Sequence, residues 1–191
     1  MPRLTEATRH DRMSQIADAA RRCFARNGFA GTSMADIITE SGLSAGSIYS
    51  HFPGKAELTR FTSESLLEAR RASLAAMTRE GAAPTPAEIL VRLYDEMAGA
   101  GVTEMLVQIW AEAPHDPLLA GLARDKIAQV RELLHEALLP WAATQDGDVQ
   151  RLAADATETI MLLFQGATVR QTLEPEADAH VLLAAVVRLL R

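Results

Sequence analysis

Apolar positions recur every three to four residues along most of this chain, and nowhere do they alternate with period two over a useful length. The pattern predicts an all-α protein with no β-sheet. Met13, Ile16, Ala20, Cys23 and Phe24 form one stripe, and Asn27-Gly28 supplies a left-handed stop, so a first helix is expected from about residue 9 to 27. Phe29 then folds back as a hydrophobic contact. A second, short helix is expected to end near Ser41, with Ser33 as N-cap and Asp36 three positions on as an imperfect capping box. A third starts at the N-cap Ser44 and is stopped by Pro53-Gly54. Met34, Ile37, Ile38, Leu43, Ile48 and Phe52 complete a three-helix core with the first stripe.

A long helix is expected over 55–79, with Leu58, Phe61, Leu66 and Met77 among its buried positions. At 1.5 Å per residue it spans roughly 35–40 Å, enough to join two domains rigidly. Gly81-Ala82-Ala83-Pro84-Thr85-Pro86 breaks it and is the clearest linker. Further helices are expected at about 86–99, 102–113, 117–139, 148–170 and 176–190, bounded by Gly99/Gly101, Pro114/Pro117, Pro140 and Pro175. The organisation expected is a helix-turn-helix domain over 1–54 and a second helical domain over 55–191.

A chain of 191 residues, 48% hydrophobic and 23% charged, suits a globular protein with a real core. The net charge of −6 argues at first against nucleic acid, but its distribution does not. Residues 1–60 hold eight Lys/Arg against six Asp/Glu, and the remainder holds 11 against 19. A basic head on an acidic body suits a protein that presents one end to DNA. The single cysteine, Cys23, excludes an internal disulfide and falls on an apolar stripe, so a buried, inert thiol is expected. Arg9, Asp11 and Arg12 interrupt the first apolar stretch, which argues against a signal peptide, and no run of eighteen apolar residues exists. A cytoplasmic protein is expected.

Two short helices joined by a 3–4-residue, glycine-containing turn make a helix-turn-helix, whose second helix can enter a major groove. Ser44, Ala45, Gly46 and Ser47 occupy the first turn of that second helix, with Ser47 the best single hydrogen-bonder to a base. Thr32 and Ser33 can add hydroxyl or backbone contacts to phosphate, although capping alone accounts for both. Arg3, Arg9 and Arg12 can reach phosphate or minor groove as a basic arm, or belong to a free terminus. Arg21, Arg22 and Arg26 read as a solvated helix face.

Residues 9–55 resemble the DNA-binding domain of TetR-family transcriptional regulators. Three ordered segments carry the likeness: Ile16-Ala17-Asp18-Ala19-Ala20 through Phe24-Ala25-Arg26-Asn27-Gly28-Phe29, Thr32-Ser33-Met34-Ala35-Asp36-Ile37, and Ser44 through Lys55. The resemblance implies that Tyr49 and His51 contact phosphates, with Lys55 beside them at the start of the next helix, where free N–H groups already favour an anion. Many relatives carry Lys or Pro where this chain has Ala45, which removes a possible base or phosphate contact. It also implies a homodimer on a palindromic double-stranded operator, released by a small-molecule effector, and most often a repressor.

Gln108-Ile109-Trp110-Ala111-Glu112-Ala113 with Asp116-Pro117 is similar to the BetI-type subgroup of C-terminal domains. Met97, Met105, Gln108, Trp110, His115, Met161 and Phe164 are the candidate effector residues, since methionines and aromatics with a few amides and imidazoles suit an adaptable cavity. They read equally as core. The apolar last helix, with Leu152, Ile160, Phe164 and Ala167 on the helix before it, can form half of an intermolecular four-helix bundle or be core within one subunit. No catalytic, cofactor or metal site is expected: a phosphate loop, a nucleophile elbow and zinc spacing are all missing. Asp146-Gly147-Asp148 reads as a solvated turn, because calcium-loop spacing from Asp146 lands on Thr157. The rival readings are a small-molecule binding protein with a vestigial DNA module, and an enzyme using His115 or His135.

Overall fold

A computed structural model describes residues 6–79, 83–97, 102–176 and 179–189. Arg3, Gly81-Ala82 and Gly99–Gly101 of the expectations above lie outside the described residues. The regular structure among those residues is entirely helical: α1 (Glu6–Asn27), α2 (Met34–Ser41), α3 (Ala45–His51), α4 (Lys55–Arg79), α5 (Pro86–Met97), α6 (Val102–Glu112), a 3₁₀ turn (Ala113–His115), α7 (Pro117–Ala142), α8 (Val149–Leu173) and α9 (Ala179–Leu189). None of these helices is long and apolar enough to cross a membrane.

Local chemistry places most of the ends. Gly28 adopts φ +79° and its N–H returns to the Phe24 carbonyl at 3.0 Å, closing α1 in the left-handed stop. Phe29 turns back so that its ring lies 5.3 Å from that of Phe24. Ser33 and Asp36 form a full capping box at the start of α2. Gly42, at φ +69°, ends α2 and forms the turn into α3, whose N-cap Ser44 accepts from the Ser47 N–H. Asp116 caps α7 with Pro117 at its first position, and Asp148 caps α8. The Asp146–Asp148 segment is therefore a capping turn.

Pro140 does not end a helix. It lies inside α7, which runs on to Ala142. A proline there forfeits one hydrogen bond in a final turn that has little left to lose, and the Ala143 N–H still reaches the Leu139 carbonyl at 3.0 Å.

Two buried clusters organise the chain. One unites Ile16, Ala20, Cys23 and Phe24 of α1 with Ile37, Ile48, Phe52 and Leu58, and it continues into Met97, Val102 and Met105. The other gathers Leu74, Ile89, Leu90, Leu93, Tyr94, Leu134, Leu138, Ala153, Ile160, Met161 and Leu183. Helix α4 serves both, through Leu58 near its start and Leu74 near its end. A displacement of α4 is thus felt in both cores, because close-packed interiors transmit strain.

Candidate nucleic-acid interface and interior cavity

The first turn of α3 presents Ser44, Ala45 and Gly46 to solvent. A Cβ at Gly46 would meet nothing within 4 Å, so the glycine leaves open space for an approaching surface. Behind this turn Ile48 is fully buried, which fixes the helix against α1 and α2. Tyr49 is 50% exposed, the only phenylalanine, tyrosine or tryptophan so presented among the described residues. Neither its hydroxyl nor that of Ser47 has a protein partner among the described residues. This short helix thus offers two hydroxyls that the described protein leaves unpartnered. His51 is half-buried, and its Nδ1 is shut off from solvent without a partner.

Three expected phosphate contacts are spent internally. The buried Thr32 hydroxyl bonds the Cys23 and Gly28 carbonyls at 3.1 and 2.6 Å. Ser33 gives its hydroxyl to Asp36 at 2.6 Å and receives the Asp36 N–H in return. Lys55 turns away from solvent: its ammonium donates to the carbonyls of Phe29 and of Thr32, the latter at 3.0 Å, and lies 4.1 Å from the Phe29 ring centroid. Burial pushes the Lys55 pKa down, while Glu112 and Asp116 oppose that shift. Lysine therefore ties α4 to the loop after α1, and so holds α3 between two fixed ends. Sequence could not separate these roles, since a capping serine and a phosphate-binding serine look alike.

Arg22 and Arg26 both clasp Glu40, at 2.7 and 2.9 Å, joining α1 to α2 at the surface. Arg12 bonds Gln15 at 3.2 Å and, like the exposed Arg9, belongs to α1 and not to a free arm. Cys23 is fully buried, and burial raises its pKa, as an inert thiol requires.

A cavity of about 140 Å³ lies between α4, α6, α7 and α8. Met105, Trp110, Met161 and Phe164 line it, as expected. Three other candidates do not. Met97 is buried in the α1–α3 core. His115 is exposed on the 3₁₀ turn. Gln108 faces the helix-turn-helix, donating from Nε2 to the Ala25 carbonyl at 3.4 Å. The neighbouring Glu112 accepts the Ala30 N–H at 3.0 Å. Helix α6 thus has two working faces: Met105, Leu106, Ile109 and Trp110 on the cavity, Gln108 and Glu112 on the head. Gly28 is packed against this second face, where a Cβ would come within 3.3 Å of Gln108 Oε1.

Sequence reasoning missed the cavity wall supplied by α4: Thr59, Ser63, Leu66, Leu67 and Arg70. Their spacing of three and four is the signal that would have found them, because it continues the stripe containing Leu66.

The outer face of α8 is unusually apolar. Leu162, Val169 and Leu173 are 68%, 39% and 76% exposed, and Val181 of α9 is 62% exposed. The α8 positions follow the spacing of one helical stripe. Leu152, Ile160, Phe164 and Ala167, for which the sequence left an intermolecular bundle and a core within one subunit both open, pack against the interior cluster. Helical periodicity gives a stripe, but α8 is apolar on two sides, and only the packing of α5, α6 and α7 says which is inside.

Residues 16–60 match the model of the family described as bacterial regulatory proteins, tetR family. The regulator TtgR of Pseudomonas putida is 41% identical over 68 residues, a match covering 36% of this chain and 32% of that protein. The regulator LmrA of Bacillus subtilis (strain 168) is 30% identical over 164 residues, covering 82% of this chain and 84% of LmrA. Among solved structures, the fatty acid degradation regulator FadR of Bacillus halodurans superposes with a TM-score of 0.76 over 93% of each chain at 18% identity. That likeness speaks to the fold alone. The relatives are transcriptional regulators and not enzymes. With the helix-turn-helix, its capped recognition helix and the likeness to LmrA over 82% of the chain together, this chain belongs to the TetR family of DNA-binding transcriptional regulators.

Proposed function

We propose that the protein is a homodimeric repressor that reads a palindromic operator through α3 and is released when a small molecule fills the cavity. Residues 1–54 form the DNA-binding domain in this reading, and 55–191 the effector-binding and dimerisation domain. The observation that carries it is the two-faced α6, which touches the cavity with one side and the loop after α1 with the other. A cytoplasmic location goes with this reading.

Ser44, Ala45, Gly46 and Ser47 meet base edges, and the Ser47 hydroxyl is the group best able to discriminate among them. The Tyr49 hydroxyl donates to a phosphate, as do the free N–H groups at the start of α4. Lys55, Thr32 and Ser33 position these donors without touching DNA; His51 packs behind them. The partner is a second copy of the chain, joined along Leu162, Val169, Leu173 and Val181. The dimer holds its two recognition helices roughly 34–36 Å apart, one duplex turn.

An effector shifts the population of dimers. It stabilises an arrangement in which α4 and α6 are displaced, and it acts only through its differential affinity for the two arrangements. Coupling of this kind typically amounts to about 1–3 kcal/mol. Selecting bound duplexes from a random pool, then screening compounds that release them, tests the reading. Operator affinity and compound affinity, each measured with the other present, must change by the same factor. Independent values would contradict it.

A further inference from the structure

One wall residue of the cavity stands out among mostly apolar neighbours, the other polar ones being Thr59, Ser63, Lys126 and Gln165. Around it stand Leu66, Leu67, Met105, Ile109, Leu122 and Phe164, and no described Asp or Glu lines the space. Arg70 nevertheless lines it. Its Nε is buried without a hydrogen-bond acceptor, and no described carboxylate forms an ion pair with its guanidinium. The guanidinium carbon lies 5.9 Å from the Phe164 ring centroid. Glu96 is the acidic residue whose field reaches Arg70, yet its carboxylate already accepts from Arg92 at 2.6 Å and from the Ser73 hydroxyl. Lys126, the other basic wall residue, gives its ammonium to Gln129 at 2.9 Å.

An arginine on a helix normally lays its stem on apolar surface and keeps its head in water. Here the residue is half-buried and its Nε is shut off from water. A guanidinium N–H buried without an acceptor is costly, and the guanidinium fork suits a carboxylate bidentately. The volume sets the size of the missing partner. A dry cavity of about 150 Å³ accepts benzene in another protein, so about 140 Å³ suits a body of one ring or a short branched chain.

We infer that the cavity binds a small amphipathic monoanion, a carboxylate of benzoate size, with its charge on Arg70 and its apolar body against Phe164, Met105 and Ile109. This rests on the cavity being the effector site, and it names the class of effector. Because Arg70 sits on α4, the helix whose first residue ties down the loop after α1, an anion drawn to Arg70 bears on the same helix that positions α3.

Calorimetric titration of the full chain with benzoate, with neutral benzamide and with the benzyltrimethylammonium cation tests this directly. Benzoate is expected to bind once per chain, at least tenfold more tightly than benzamide, and the cation not at all. Arg70→Met should abolish the preference for benzoate, and Arg70→Lys should keep part of it. Should Arg70→Met fail to fold, as judged by its circular dichroism melt, the ranking on the unaltered chain still decides. Benzamide binding as well as benzoate, preference for the cation, no binding of benzoate, or a preference that survives Arg70→Met would each overturn the assignment. The two readings fail separately. Salt-sensitive duplex binding without anion selectivity removes only the anion. A selective benzoate site on a chain that neither binds duplex nor releases it removes the regulator and leaves the anion site standing.

Discussion

The Glu112 carboxylate accepts the backbone N–H of Ala30, with Oε2 at 3.0 Å and Oε1 at 3.3 Å, so the end of α6 is fastened to the loop that follows α1. The same carboxylate favours the charged form of Lys55, whose ammonium holds the adjacent Phe29 carbonyl. Helix α6, which also lines the cavity, and the start of α4 are therefore both fastened to the loop after α1. Glu112→Ala removes the acceptor from an N–H that water can reach, so stability should fall by only about 1 kcal/mol. Coupling between cavity ligand and operator should fall much further, measured as operator affinity with and without ligand. Undiminished coupling would show that the signal travels elsewhere.

Lys55→Met keeps the apolar stem and removes two charge-assisted hydrogen bonds. We expect a loss of about 1.5–3 kcal/mol in a thermal or urea melt. A variant of native stability that lost only its affinity for DNA would return Lys55 to the phosphate-contacting role.

Acid should loosen the head in a defined window. Hydrogen bonds from Ser33 hold the Asp36 carboxyl below its ordinary value, and the Arg22 and Arg26 guanidiniums do the same for Glu40. A carboxyl with a depressed folded-state pKa contributes stability above its unfolded value, near 4, and loses it as pH falls through the folded value. The double variant Asp36→Asn, Glu40→Gln should accordingly be less stable than the parent at neutral pH. Melts recorded between pH 7 and 2 should converge at the acid end. A constant difference across that range would rule out titration as its source.

Leu173→Glu places a charge on the exposed apolar surface of α8 and α9 without touching either core. Sedimentation should then report a folded monomer in place of a dimer, with operator affinity greatly reduced. A dimer of unchanged strength would move the interface to another surface.

The parts of this protein that local chemistry decides are plain in the sequence. Ser33, Gly28 and Ser44 each act on neighbours a few positions away, so the ends of α1, α2 and α3 follow from residue type. The span of α4 is equally plain, because Pro53-Gly54 precedes it and its pattern runs unbroken to Arg79. What depends on helix rotation is not. Gln108 and Trp110 lie two positions apart on α6, and nothing in the sequence says that one meets the head and the other the cavity. Arg70 shares that difficulty, since an arginine on a long helix reads as solvated until the helices around it are in place.

Titration of a selected palindromic duplex, and of its isolated half-site, tests the central claim most directly. Two chains should bind the palindrome together, with a steep loss of affinity as salt rises. Tyr49→Phe should weaken all duplexes about equally, and Ser47→Ala should change preference at one base pair by roughly 1–3 kcal/mol at most. One chain binding the half-site as tightly as two bind the palindrome, with little response to salt, would contradict the account.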